Sequence, residues 1–468
     1  MPPFAKGVSP ASPAEDQPAI GLIGMGEMGK MYAKRLCEAG WNKINVCDRP
    51  DNYDRLRGQM EGIPGIEVFR DGHYVSRASD FIIYSVEAEF IEKVVAQYGP
   101  STKVGAVVAG QTSVKAPERE AFEKFLPEDV HIISCHSLHG PTVSTVGQPL
   151  VSDSLPLDFF ITISVQVIIR HRAPDWALDM VEDILRPLQS RFVYLSYEDH
   201  DLVTANTQAV THAAFLSMGT AWQNSAAYPW EGAGLYVSGI EVVKVNITLR
   251  IYANKWHVYA GLAILNPCAR VQIDQFAKST TELFKLMLSG DADSLRKRVY
   301  TAREKVFPHG SEVKDKPPIL LSEDLLDQFS LGKNADAFHA PRNSHLSLLA
   351  MVDCWATLGI DPLAHLELAG TPIFRMWIGV AEYLFRSTNR LDAAIEAAVR
   401  DVMHRSDDLE FTLAARGWSQ CISFGSFELY ERRFSETASF FEPRFKEAAE
   451  VGGRMIKAIS QSTSTIRK

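Results

Sequence analysis

The sequence predicts an α/β fold, a doubly wound parallel sheet followed by a large all-helical domain. Three observations predict it. From Ile20 to about Ser196, short apolar or β-branched runs alternate with amphipathic helical patterns, as in βαβ units that cover both faces of a parallel sheet. A glycine-rich turn joins the first such run to the first helix. From Tyr197 onward strand-like runs largely disappear and helical periodicity takes over.

Length and composition agree. A chain of 468 residues exceeds a single core, so two or three domains are expected. With 46% apolar and 22% charged residues it reads as an ordinary soluble enzyme. A net charge of −9 without a basic stripe argues against a nucleic-acid surface. The six cysteines are scattered with no C-x-x-C pair, which fits free thiols in a cytoplasmic protein and neither a disulfide frame nor a zinc site. No apolar run reaches membrane-spanning length. Residues 1–18 (MPPFAKGVSPASPAEDQP) are rich in Pro, Ala and Ser and lack an apolar h-region, so a disordered tail is expected there and not a signal peptide. The sheet domain is assigned to 19–196 and the helical domain to 197–468.

Ile20–Ile23 is the first strand. Gly24-Met25-Gly26-Glu27-Met28-Gly29 follows in G-x-G-x-x-G spacing. In a Rossmann-type turn the first glycine permits the bend. The second lets backbone approach a pyrophosphate, and the third lets helix pack on strand. The helix N-terminus then offers free N–H groups to the phosphates. Ile44–Cys47 is the second strand and ends at Asp48, nineteen residues past Gly29, where an acidic ribose contact is expected. Arg49 beside it is placed to hold a 2′-phosphate instead. Phe81–Val86, Val104–Ala109, Val130–Cys135 and Phe192–Leu195 are further strands, with helices at Phe90–Tyr98, Pro117–Phe125 and Trp176–Leu188. Helical regions follow at Asp201–Trp222 and Val243–Ile264 and onward, with loops at Pro229–Gly239, Lys314–Pro318 and Lys333–Arg342.

Ligands in such sheets bind beyond the C-terminal ends of strands, which singles out Ser85, Ser113 and His136. An imidazole there can accept a proton from a substrate hydroxyl; the plainer reading of His136 is a loop histidine with a structural hydrogen bond. Ser113 either orients that histidine and the substrate or caps the helix near Pro117. Thr204, Gln208 and His212, spaced i, i+4, i+8, share a helix face, as a cleft wall or a solvated surface. Arg250, Asn254 and His257 are spaced i, i+4, i+7; an Arg fork there binds a carboxylate or makes an ordinary surface ion pair. His345 and Arg375 lie in apolar helical contexts with no role assigned.

These residues sit in segments that resemble the prephenate dehydrogenases, in the fungal NADP-dependent form: GLIGMGEMGKMYAKRL, SDFIIYSVEA, GQTSVKAPEREAFEKFLP, HSLHGPTVSTVGQPL, ANTQAVTHAAFLSMG, NITLRIYANKWHVYAGLAILNP and NSHLSLLAMVD. The resemblance runs from about Ile20 to the end. It implies oxidative decarboxylation of prephenate to 4-hydroxyphenylpyruvate and CO2, on the route to tyrosine, with dimerisation through the helical half. By the same resemblance His136 matches the catalytic histidine and Ser113 a serine that positions it. His212 matches a substrate-binding histidine and Arg250 the arginine that holds a prephenate carboxylate. Gln208 is grouped with them as substrate-binding. The family's proline after the catalytic histidine is Ser137 here. The resemblance tips the cofactor to NADP over the NAD that Asp48 alone would favour.

One stretch departs from the resemblance. In the resembled family GQPL runs straight into V-I-x-x-H-R, whereas Leu150 and Val167 are here separated by Val151–Gln166. Removing these sixteen residues restores the family-like sequence and keeps the reading frame. Val-Ser can be encoded GTAAGT and the final Gln CAG, the ends of an intron. Val151–Gln166 is therefore read as a retained intron; the alternatives are a long strand preceded by a loop or a genuine variant loop. Two other functions also fit the opening motif. A β-hydroxyacid dehydrogenase would carry a catalytic lysine where this chain has Gln208 and His212. A non-catalytic NADP-binding sensor would lack a working His136–Arg250 pair.

Overall fold

The computed structural model describes residues 7–138, 165–231, 239–308, 329, 331, 343–369 and 371–465. Two compact units divide the chain, Met1–Asp201 and Leu202–Lys468.

The first unit contains β1 (Ile20–Ile23), α1 (Glu27–Ala39), β2 (Ile44–Cys47), α2 (Tyr53–Met60), β3 (Ile66–Val68), α3 (Gly72–Ala78), β4 (Phe81–Tyr84), α4 (Ile91–Tyr98), β5 (Val107–Gly110), α5 (Ala116–Phe125), β6 (His131–Ser137), β7 (Val165–Arg172), α6 (Asp175–Leu185) and β8 (Arg191–Tyr194). The strands form one sheet in the order β3-β2-β1-β4-β5-β6-β7-β8. β1, β2, β4 and β5 are buried at every residue, which is why they read as continuous apolar runs and not as alternations. Successive residues feed two cores. Leu22, Val46 and Ile83 pack with Tyr32 and Leu36 of α1 and Val181 of α6. Ile23, Ile82 and Val108 pack with Val75 of α3, Val95 of α4 and Phe122 of α5. Helices thus cover both faces. Strand order reverses between β1 and β4, the switch point beside which such sheets bind ligands.

Three expectations need correction. The sheet is not wholly parallel, since β7 runs antiparallel to β6 while β8 returns parallel to β7; an apolar run carries no sign of direction. β3 is a strand of three residues with Glu67 at its centre, too short and polar to register as one. Residues 7–18 are not a loose tail. Val8 is buried, and the Gln17 amide donates to the carbonyls of Pro10, Ser12 and Gly40 while its oxygen accepts from the Asn42 N–H. A single buried glutamine thereby ties a polar segment to the end of α1. Of the suspected insertion, 151–164 lies outside the described residues, and Val165 and Gln166 open β7.

The second unit is helical. After α7 (Tyr197–Thr204), which straddles the boundary, come a π-helical turn at Ala205–Ala209, α8 (Val210–Asn224), α9 (Ile240–Tyr252), α10 (His257–Leu265), α11 (Pro267–Ser289), α12 (Ala292–Val306) and α13 (Leu346–Leu358), with further helices to Thr465. α8 and α9 are buried almost all round, as central helices are. The single helix expected over Val243–Ile264 is two, broken at Ala253–Trp256. Residues 232–238 and the loops expected at Lys314–Pro318 and Lys333–Arg342 lie outside the described residues. Among the described residues no helix is long and apolar enough to cross a membrane.

Candidate active site

The glycine turn has the geometry its spacing implies. Gly24 has φ +100°, and a Cβ there would lie 2.4 Å from the Ser85 carbonyl oxygen. A Cβ on Gly29 would lie 2.1 Å from the Gly24 carbonyl oxygen, whereas one on Gly26 would meet no protein atom within 4 Å. So Gly24 and Gly29 are demanded by the fold, and Gly26 leaves open space in front of the helix. α1 begins at Glu27 with no side-chain cap, and its first intrahelical bond is Lys30 N–H to Gly26 O. The preceding N–H groups of Glu27, Met28 and Gly29 are the uncapped donors that an anion takes. Met25 is buried in the core, so its contribution to a cofactor is through its backbone. The cradle therefore fits a dinucleotide pyrophosphate.

At the end of β2, Asp48 turns back on its own loop: Oδ1 accepts from the Arg49 N–H at 2.8 Å and Oδ2 from the Asn52 amide at 3.1 Å. Arg49 is exposed and pairs with no carboxylate among the described residues. That arrangement quiets the acidic group and offers a cation. Ser85, past β4, donates to the Gln111 side-chain oxygen at 3.2 Å.

His136 lies near the end of β6 and is buried at 8% exposure. Its Nδ1 is 2.8 Å from His200 Nε2, and His200 Nδ1 is 2.9 Å from Asp201 Oδ1. Asp201 also accepts the backbone N–H groups of Lys115 and Ala116 at 2.7 and 2.8 Å. Burial and the nearby Lys115 charge hold His200 well below the usual histidine range; burial raises Asp201 to about 6. The loop carrying Ser113 is pinned by the fully buried Lys115, whose ammonium donates to the Gly110 and Cys135 carbonyls and to both oxygens of Glu118. Glu118 accepts in turn from Thr112 and Ser134. Ser113 is half-buried and bonds no described residue. It does not cap α5, where Lys115 stands at the N-cap position, and the partner of His136 Nδ1 is His200, not Ser113. Ser137 hydrogen-bonds Tyr32 of α1 and the Gln166 oxygen, each at 2.7 Å.

In the helical unit, Gln208 and His212 are the two positions between Val203 and Trp222 that are not buried, as a cleft wall requires. Thr204 does not share that face: it is buried and accepts from the Asn266 amide, because the i→i+5 turn over Ala205–Ala209 offsets the helical repeat. Such π-bulges are frequent at functional sites. His212 packs edge-on to Tyr259 with centroids 4.7 Å apart; its buried Nδ1 has no partner among the described residues, and burial pushes it down to about 3. Tyr259, pushed up to about 12 by burial and held back by Asn254 and the Arg250 charge, accepts the Asn254 amide at 2.9 Å. Arg250 is the one residue of α9 that is not buried, and no carboxylate among the described residues pairs with it. The helix break removes the common face assumed for Arg250, Asn254 and His257, since His257 opens α10. His345 belongs elsewhere, with Nδ1 3.0 Å from Glu241. Arg375 is half-buried in the helix Pro372–Arg386.

Residues 19–109 match the family described as NADP oxidoreductase, coenzyme F420-dependent. Residues 209–461 match a family of the 6-phosphogluconate dehydrogenase C-terminal domain. A probable prephenate dehydrogenase [NADP(+)] of Schizosaccharomyces pombe is 51% identical over 443 residues, 95% of this chain and 98% of that one. The chain belongs to the prephenate dehydrogenase family. A prephenate dehydrogenase [NADP(+)] of Saccharomyces cerevisiae is 48% identical over 452 residues, 95% of this chain and 94% of that one. The prephenate dehydrogenase crystal structure from A. aeolicus, in complex with hydroxyphenyl propionate and NAD+, shares 17% identity with a TM-score of 0.45, covering 60% of this chain and 94% of that one. Membership in the prephenate dehydrogenases sets aside the β-hydroxyacid dehydrogenase and sensor readings. Within a prephenate dehydrogenase, the residues that sequence reasoning missed are His200, Asp201, Lys115, Glu118 and Tyr259. An adjacent His-Asp pair just beyond the last strand was the available signal for the first two.

Proposed function

We propose that the chain converts prephenate to 4-hydroxyphenylpyruvate and CO2 with NADP+ as oxidant, and that His136 is the general base. The observation that carries the base assignment is the buried imidazole at the end of β6 with Nδ1 engaged by His200. Bound NADP+ supplies the hydride acceptor. As the carbinol carbon loses its hydride a C=O forms, the hydroxyl proton becomes acidic, and His136 Nε2 accepts it. Loss of the ring carboxylate as CO2 sends its bonding electrons into the ring. The aromatised oxygen then takes the proton back. Arg250 holds a side-chain or ring carboxylate, with Gln208 and His212 beside the substrate and Ser113 toward its hydroxyl. The uncapped N–H groups of Glu27–Gly29 receive the pyrophosphate, and Arg49 the 2′-phosphate. Incubating the protein with prephenate and NADP+ tests the reading: NADPH and 4-hydroxyphenylpyruvate form in equal amounts. Tight NADP+ binding without either product would contradict it.

The same reading makes the enzyme a cytoplasmic homodimer joined through its helical half; its six cysteines are all free thiols. It also makes Val151–Gln166 a retained intron. A cDNA that joins the Leu150 codon to the Val167 codon is expected, and a spliced transcript still encoding Phe159-Phe160-Ile161 would refute it.

A further inference from the structure

We propose that His200 and Asp201 are positioning residues that fix the tautomer and orientation of His136. The inference rests on the reading of His136 as base and adds a chain of hydrogen bonds to it. The protons in that chain can be placed one after another. Two backbone N–H groups, of Lys115 and Ala116, point at the two Asp201 oxygens. These groups can only donate, so both oxygens act as acceptors. His200 Nδ1 contacts the same Oδ1 and therefore carries its proton. A neutral His200, kept so by burial and by the Lys115 ammonium, then has a lone pair at Nε2. In the 2.8 Å contact between the rings His136 Nδ1 must donate. The remaining nitrogen of His136, Nε2, is the basic one, as the reaction requires.

The two elements are also docked in register. Side chains two apart on a strand share a face, as do those three apart on a helix. Ser134 and His136 of β6 meet Tyr197 and His200 of α7 in two parallel hydrogen bonds, of 2.9 and 2.8 Å. The imidazole is thus held by a helix anchored to its own strand. The rings stand at 62° with centroids 5.0 Å apart, so the contact is a directed hydrogen bond and not a stack. The other ionisable groups packed around this chain are Lys115 and Glu118, which bond to each other. When His136 takes up a proton, the His200 lone pair stabilises the imidazolium by accepting from Nδ1.

The test compares His200→Leu, which has no acceptor, with His200→Gln, whose side-chain oxygen can accept, each as the full chain with prephenate and NADP+. NADP+ affinity and melting temperature report that the variants are folded. His200→Leu is expected to lower kcat by about 10–100-fold, the usual cost of losing an orienting partner, with the KM for prephenate little changed. The acid limb of the kcat–pH profile should move to lower pH, because the imidazolium has lost its acceptor. His200→Gln should recover most of the rate. Asp201→Asn serves as a second variant: its NH2 would donate to His200 Nδ1 and reverse both tautomers, so kcat should again fall. Wild-type kcat and pH profile in both His200→Leu and Asp201→Asn would overturn the proposal. So would a loss in His200→Leu that leaves the acid limb in place and that His200→Gln does not relieve. His136→Asn run alongside separates the two ideas. Retained kcat there removes the base assignment itself, whereas lost kcat there with retained kcat in the His200 variants removes only the positioning role.

Discussion

The Lys115 ammonium donates to the Cys135 carbonyl at 3.0 Å, one residue before His136. The same ammonium meets the Gly110 carbonyl and the Glu118 carboxylate, with no part of either side chain reaching solvent. One buried cation therefore joins the end of β5, the Ser113 loop and the end of β6. Removing one partner of a buried pair leaves an uncompensated charge, which costs about 3–5 kcal/mol. Lys115→Met is expected to lose stability of that order in denaturant unfolding. A loss below about 1 kcal/mol would mean the network is not the anchor described.

The three glycines of the turn should behave differently. Gly26→Ala adds a methyl that touches no protein atom, so stability should stay within about 1 kcal/mol. NADP+ affinity should fall by about tenfold or more, 1.4 kcal/mol per decade, because the methyl occupies the phosphate's approach. Gly24→Ala should fail to fold normally, since it combines φ +100° with a 2.4 Å approach to the Ser85 carbonyl oxygen. Titration calorimetry and thermal melts of the two variants check the contrast.

Cofactor choice should reside in Arg49. With Asp48 satisfied by its own loop, the exposed guanidinium is the group left for a 2′-phosphate. Arg49→Ala is expected to lower kcat/KM for NADP+ by about 10–100-fold, the worth of a hydrogen bond to a charged group, and to leave NAD+ turnover nearly unchanged. Equal losses with both cofactors would contradict this role.

Arg250→Gln should raise the KM for prephenate by about tenfold or more and change kcat much less, the mark of an interaction made equally in ground and transition states. The side chain is exposed, so stability should stay within about 0.5 kcal/mol. A kcat loss as large as the change in kcat/KM would place Arg250 in the transition state instead.

Much of the fold was legible in the residues. β1 and β2 fall where their apolar runs do, because fully buried parallel strands leave an unbroken apolar signature. The antiparallel entry of β7 was not legible, since pairing direction is decided by tertiary packing. The π turn over Ala205–Ala209 and the break at Ala253–Trp256 were missed for a related reason: i, i+4 counting assumes an uninterrupted helix. Thr204 left the expected face and His257 left the expected helix as a result. In the site, single residues at strand ends were visible, whereas their partners were not. His200 lies 64 residues from His136, a separation that no local pattern encodes. Tyr259 was hidden among the apolar residues of α10, and only its contacts with His212 and Asn254 set it apart.

The central claim is that His136 takes the hydroxyl proton as hydride leaves. It is tested most directly by the kcat of His136→Asn with prephenate and saturating NADP+, in a variant whose NADP+ affinity is unchanged. A general base contributes about 10²–10⁴-fold, and a loss within that range is the predicted result. A kcat within about threefold of the wild type would contradict the account.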